Sequence, residues 1–257
     1  MNIKIVVATH KKYKMPKDEM YLPLHVGREG KEDIGYLGDN TGDNISLKNP
    51  YYCELTGLYW AWKNLNADYI GLAHYRRHFS NNKHNKDRFK TILNKKELEK
   101  ILENTDVVLP KKRKYYIESL YSHYEHTLNV ETLDETRKII DEKYNDYLKI
   151  FDKNMKKTYA HMFNMFIMKK EILDEYCGWL FEILEELEKR IDPKKYDSFH
   201  ARYLGRISEL LLDVWIEKNS IKYKEVPVVY LEKVNWIKKG GAFLKAKFGN
   251  VKYGKSF

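Results

Sequence analysis

The 257 residues are 43% hydrophobic and 33% charged, enough apolar material for a sizeable core and too much for a disordered chain. Cys53 and Cys177 lie far apart with no CxxC spacing, which excludes a disulfide framework or a zinc site built on cysteine, and both read as buried thiols of a reducing compartment. Seven of the ten excess positive charges fall in residues 233–257, which hold no acid, leaving +3 for the first 232.

Ile3–Ala8 is a compact β-branched run, read as a buried first strand that opens into Thr9-His10-Lys11. It is too short for a secretory h-region, and no run approaches the ~18 apolar residues that span a bilayer, so a cytoplasmic protein is expected. Residues 12–50, broken by glycine and proline, read as mostly irregular. Within them Gly38-Asp39-Asn40-Thr41-Gly42-Asp43-Asn44-Ile45-Ser46 gathers short polar side chains able to hold a ribose or sugar, or simply to make two Asx turns and an N-cap. The Asp-x-x-x-Asp spacing lacks the close pair that holds a divalent metal on a nucleotide sugar.

Glu54–Asn64 reads as a helix and Asp68–Ala73 as a second buried strand, ending in His74-Tyr75-Arg76-Arg77-His78. Adjacent guanidinium forks match phosphate oxygens, although an arginine pair can also be a solvated loop edge. Lys95–Asn104 is expected as a helix, Asp106–Pro110 as a third strand, Glu131–Lys143 as a solvated helix and Met162–Met168 as a fourth strand. Two long amphipathic helices, Lys170–Arg190 and Phe199–Asn219, precede a last strand at Lys222–Val229. Alternation of helices with wholly apolar strands predicts an α/β fold: a mostly parallel sheet flanked by helices.

Several side chains are candidates for chemistry. His123 and His126 have the spacing of one helix face, without a convincing third metal ligand nearby. His10 stands at a strand end, where α/β folds bind ligands. Arg202, Arg206 and Glu209 share a helix face as a structural pair or an oriented carboxylate. The basic, aromatic tail 233–257 suits an anionic leaflet.

The strings Val7-Ala8-Thr9-His10-Lys11, Tyr21–Gly27, Gly38–Ser46, Asn49–Thr56, Tyr59–Asn64 and Gly71–Phe79 together resemble a bacterial family of capsular and exopolysaccharide glycosyltransferases, catalogued as a domain of unknown function. Asp106–Pro110, Tyr121–Tyr124, His161–Met168 and Arg202–Glu209 extend the resemblance over nearly the whole chain. It implies a GT-A-like, Rossmann-like glycosyltransferase domain over 1–232, with a nucleotide-binding half near 1–110 and an acceptor half near 111–232. It further implies a UDP-sugar donor, galactofuranose in some members; transfer to a glycan or lipid-linked acceptor is expected, with the basic tail holding the enzyme at the inner face of the cell membrane. Thr9, His10 and Lys11 are then expected near the uridine, and Asp39, Asn40, Asp43 and Asn44 at the nucleotide or sugar. His74, Tyr75, Arg76 and Arg77 stand where GT-A enzymes carry an acidic metal motif, so no metal site and no required cofactor are expected, with Mn²⁺ or Mg²⁺ as the alternative. Arg206 departs from the family pattern, which has an apolar residue there. Candidates for a catalytic base are His126, Asp197 and Glu209. A non-catalytic capsule-assembly scaffold and a nucleic-acid binder are the rival readings. The near-neutral body argues against the second.

Overall fold

A computed structural model describes residues 1–232, so the basic tail lies outside the described residues. In chain order the elements are β1 (Ile3–Thr9), β2 (Tyr21–His25), β3 (Leu37–Gly38), α1 (Asn49–Tyr52), α2 (Leu55–Asn64), β4 (Tyr69–His74), β5 (Arg77–Phe79), α3 (Lys95–Leu102), β6 (Val107–Pro110) and β7 (Arg113–Lys114). They continue as α4 (Leu120–Thr127), α5 (Glu131–Lys143), α6 (Asn145–Met155), β8 (Tyr159–Ala160), β9 (Phe166–Lys169), α7 (Lys170–Arg190), α8 (Tyr203–Lys218), β10 (Lys224–Val226) and β11 (Val228–Tyr230).

The main sheet runs β10-β6-β9-β4-β1-β2-β3, parallel except for β9, which enters antiparallel between β4 and β6. β5 folds back on the end of β4 and pairs with β11. Along β1, Val6 and Ala8 enter one apolar cluster while Ile3, Ile5 and Val7 enter the other, as the two-residue period of a strand requires. The first cluster packs against α2, α7 and α8 and the second against α3, so both faces are covered and the strand reads as continuously apolar. Gly71 is required where β4 meets β9: a Cβ there would lie 2.8 Å from Ile167 Cγ1 and 2.9 Å from the Phe166 carbonyl. α3 starts on a reciprocal cap between Asn94 and Glu97.

Three expectations change and one is refined. Residues 12–50 are mostly irregular, as expected, but they hold a strand, for β2 pairs with β1 over five residues. The proline in Tyr-Leu-Pro-Leu-His disguised this strand, yet Pro23 sits beyond the two-residue pairing with β3 and needs no outward N–H. The fourth strand starts at Phe166 because Phe163 and Asn164 both adopt positive φ, 78° and 51°. The Glu131–Lys143 helix is not solvated all round, for it buries Leu133, Ile139 and Ile140. The last strand is broken in two at Pro227. Among the described residues no helix is long and apolar enough to cross a membrane.

Candidate active site

β1 and β4 are parallel, so Thr9-His10-Lys11 and His74-Tyr75-Arg76 emerge at the same end of the sheet. β9 runs the other way, so the loop that precedes it, 161–165, arrives at that end too. His74 donates from Nε2 to the Phe163 carbonyl at 2.5 Å. Burial holds its imidazole below the ordinary histidine range, hence neutral, with the proton on Nε2. The left-handed Phe163 and Asn164 are unfavourable for such side chains and mark backbone held in place by its surroundings.

Asn164 reaches from this turn to Glu54 Oε1 at 2.9 Å and to the Gly205 carbonyl at 3.0 Å. Glu54 opens α2, and Gly205 belongs to α8, whose Arg202, Arg206 and Glu209 share the face expected from their spacing. The Glu209 carboxyl is pushed up to about 7, chiefly by burial and next by the charge of Glu54, against the pull of Arg206, the Phe163 backbone and Arg77. A carboxyl whose ionisation is opposed by burial and by a neighbouring acid is a common source of a proton acceptor that works near neutral pH.

The guanidinium of Arg77 lies 4.5 Å over the Phe163 ring, and that of Arg206 lies 4.2 Å over Phe199. The Nε atoms of both arginines, and Asn164 Oδ1, are buried without a hydrogen-bond partner. Unspent buried donors beside a charged cluster are costly to the fold alone, which points to a ligand that completes them. Arg202 Nε donates to the half-buried Cys53 Sγ at 3.1 Å, so Cys53 is not the fully buried thiol expected.

The adjacent arginines do not form one fork. Arg76 lies in the turn between β4 and β5, and Arg77 opens β5. Arg77 turns into the cluster, whereas Arg76 lies 5.2 Å over Tyr75 and 3.4 Å from Glu232. Arg76 instead joins an outer rim. His10 meets the Tyr75 ring edge-on at 5.3 Å, and Lys11 Nζ sits 5.1 Å over the same ring. His10 is held below its ordinary value by burial, then by Lys11, Arg76, Lys31 and Arg202, so this end of the sheet is electropositive. The residues after β4 do not suit a divalent cation, since they are cationic where a metal motif would be acidic. Among the described residues no three His, Cys, Asp or Glu side chains gather to hold one.

Other expected site residues are placed differently. Asp39 is fully buried and accepts from the Gly27 and Arg28 backbone, Ser46 Oγ at 2.5 Å and Thr56 Oγ1 at 2.6 Å. It is a junction of the fold with no oxygen left for a sugar. Asn40 donates to Glu29, Asn44 makes Asx contacts to Gly42 and Ser46, and Asp43 receives the Tyr59 hydroxyl. Thr9 is buried and closes a turn onto the Lys11 carbonyl. Asp197 caps the turn before α8 through the Phe199 and His200 amides and the His200 ring. Those bonds hold its carboxyl at about 2, too weak a base for neutral pH. His126 and His123 do share a face of α4, both held by the buried Glu118, at 2.7 and 3.0 Å.

Sequence reasoning did not single out Glu54 or Asn164. An acid at a helix start is ordinary, and the only signal for Asn164 was a polar residue interrupting an apolar run. Also missed was buried His161, held between Asp213 and Glu225. It lies near a recess of 390 Å³ lined by Lys112, Asp213 and Tyr223, while a second, of 660 Å³, is lined by Arg88 and Tyr230. Neither recess is lined by Glu54, Glu209 or His10; the candidate site is identified by its chemistry.

Comparison with known proteins bears on the family and the fold. The family model described as Domain of unknown function (DUF4422) matches residues 4–220. No curated protein matches. Among solved structures, the apo structure of WbbM, a bifunctional glycosyltransferase, is similar with a TM-score of 0.85 and 32% identity over 91% of this chain. The chain spans 46% of the length of that protein. The shared fold is the GT-A-like, mostly parallel α/β arrangement expected from the sequence.

Proposed function

Because the chain belongs to the DUF4422 family and shares its fold with part of a glycosyltransferase, we propose that it is itself a glycosyltransferase. In this reading it moves a hexosyl or galactofuranosyl unit from a UDP-sugar onto a growing, lipid-linked capsular or exopolysaccharide glycan at the membrane surface. The observation that carries the reading is Glu209, a carboxyl raised to about 7 beside Glu54 at the ligand-binding end of the sheet and ringed by arginines.

The uracil would lie against Tyr75 and His10. Lys11, Arg76 and Arg77 would offset the diphosphate charge that grows as the sugar leaves, the task a metal performs elsewhere. In a direct displacement the acceptor oxygen bonds to the anomeric carbon, the bond from that carbon to the UDP oxygen breaks, and its electron pair leaves with UDP. The acceptor's hydroxyl proton passes to Glu209. The charge of Glu54 raises the basicity of that carboxylate, the Phe163 backbone amide holds it, and Asn164 ties Glu54 to α8. His126, on the acceptor side, would contact the incoming glycan.

Thermal unfolding with UDP, UDP-galactose, UDP-glucose, UDP-N-acetylglucosamine, GDP and dTDP, with and without Mn²⁺, tests the reading. A ligand at ~100 times its Kd stabilises the folded state by roughly 2.7 kcal/mol. A UDP-selective rise in Tm without metal is expected. No rise with any nucleotide would return the chain to the scaffold reading, and activity abolished by EDTA and restored by Mn²⁺ would overturn the arginine role.

A further inference from the structure

Four consecutive cations, Lys111-Lys112-Arg113-Lys114, run directly into Tyr115-Tyr116-Ile117. Part of this run, β7, pairs with β8 in a two-stranded ribbon apart from the main sheet, with Lys114 opposite Tyr159. Lys112 is drawn inward to the Tyr223 hydroxyl at 3.0 Å, and Arg113 lies 4.9 Å over Tyr115, but Lys111 and Lys114 are exposed. Tyr116, 80% exposed, and Ile117 follow the run in the chain, Tyr159 lies across the ribbon from Lys114, and Tyr121 stands in the first turn of α4 with its hydroxyl on Asp134. These are four of the seven large hydrophobic side chains exposed among the described residues. Tyr116 also has φ 59°, a left-handed conformation that an aromatic residue adopts at a cost and that this exposed ring does not offset by packing.

We propose that this ribbon and the loop after it dock the protein on an anionic bilayer. Tyr116, Ile117, Tyr121 and Tyr159 enter the headgroup boundary, where a ring with a polar tip is at home, and Lys111 and Lys114 lie over acidic headgroups. A nucleic acid fits the patch less well: Ile117 offers nothing to a phosphate backbone, and the two free lysines make no extended basic face. The surface leads straight into α4, which carries His123 and His126. A lipid-linked acceptor held in the same bilayer would therefore reach the acceptor side of the candidate site. That consequence rests on the proposed transfer reaction; the docking does not.

Flotation of the full chain with vesicles of phosphatidylcholine, with and without phosphatidylglycerol, tests it. Binding is expected only with phosphatidylglycerol, and the amides of 115–121 should exchange hydrogen more slowly when vesicles are present. Tyr116→Asn with Ile117→Ser should weaken the association about tenfold. Lys111→Glu with Lys114→Glu should weaken it by roughly fivefold for each lysine lost. All are surface changes, and Asn tolerates the left-handed backbone, so unchanged Tm values and unchanged UDP response would show intact folds and leave the transferase reading separate. Wild-type binding indifferent to lipid charge, or variants that bind as tightly as wild type, would overturn the proposal and leave any docking to residues 233–257.

Discussion

The segment 38–46 and the inner face of α8 are both rich in polar side chains, and they use them in opposite ways. In the first, Asp39 is surrounded by four donors of its own chain, and Asn40, Asp43 and Asn44 have partners within the chain. In the second, Arg206 keeps a buried donor unspent and Glu209 sits beside another acid with its proton affinity raised. Polar density alone therefore does not locate a site. What separates the two regions is whether the hydrogen-bonding capacity is already satisfied by the protein.

Substitutions can break or sharpen that contrast. Glu209→Gln should lower transfer on the order of 10³-fold while leaving UDP affinity intact, measured as initial rates beside a UDP titration. Asp39→Ala, by contrast, strands its donors and should cost about 3 kcal/mol, a Tm drop of roughly 8 °C, with loss of activity following unfolding alone. The Glu209 carboxyl binds its proton more tightly in the folded chain than the ordinary value of 4.5, so its protonated form is the one the fold favours. The associated stability is present below the ordinary value and is lost as pH rises toward about 7. Glu209→Gln should accordingly raise stability above pH 7 by about 2 kcal/mol, read from denaturant melts at pH 5 and pH 8. Transfer should climb with pH through the same range, and Glu54→Gln should move that rise about one unit toward acid by removing the opposing charge. Asn40→Ala, at an exposed contact, should change stability by less than about 0.5 kcal/mol and leave activity unmoved; a large loss there would restore the 38–46 segment to the site.

Much of the fold was legible because its signals are local. The apolar runs at Ile3–Ala8, Asp68–Ala73 and Asp106–Pro110 and the long amphipathic patterns of α7 and α8 each carry their own period. β2 was hidden by Pro23, whose tolerance depends on where a neighbouring strand stops. The i, i+4, i+7 spacing placed Arg202, Arg206 and Glu209 together, but it could not bring Glu54 and Asn164 to them. Those contacts join residues 110 and 41 positions apart, through a turn whose left-handed residues are not glycine. Arg76 and Arg77 looked like one anion fork in the string and diverge in space because Arg76 sits in the turn after β4 whereas Arg77 begins β5.

The place of β9 has a consequence for how the molecule is made. β4 and β6 are not neighbours; the gap between them is filled by a strand whose Lys169 pairs with Tyr69, about a hundred residues upstream. Residues 1–110 therefore hold two pieces of sheet with an empty lane between them. Closing a connection of that length carries an entropic cost before any contact is gained, which predicts slow, late consolidation of the sheet rather than growth from the N-terminus. During synthesis the nascent chain would expose the unpaired edges of β4 and β6 until Phe166–Lys169 leaves the ribosome. The same event that seals those edges brings Phe163 and Asn164 into place, so protection from aggregation and assembly of the candidate site arrive in one step.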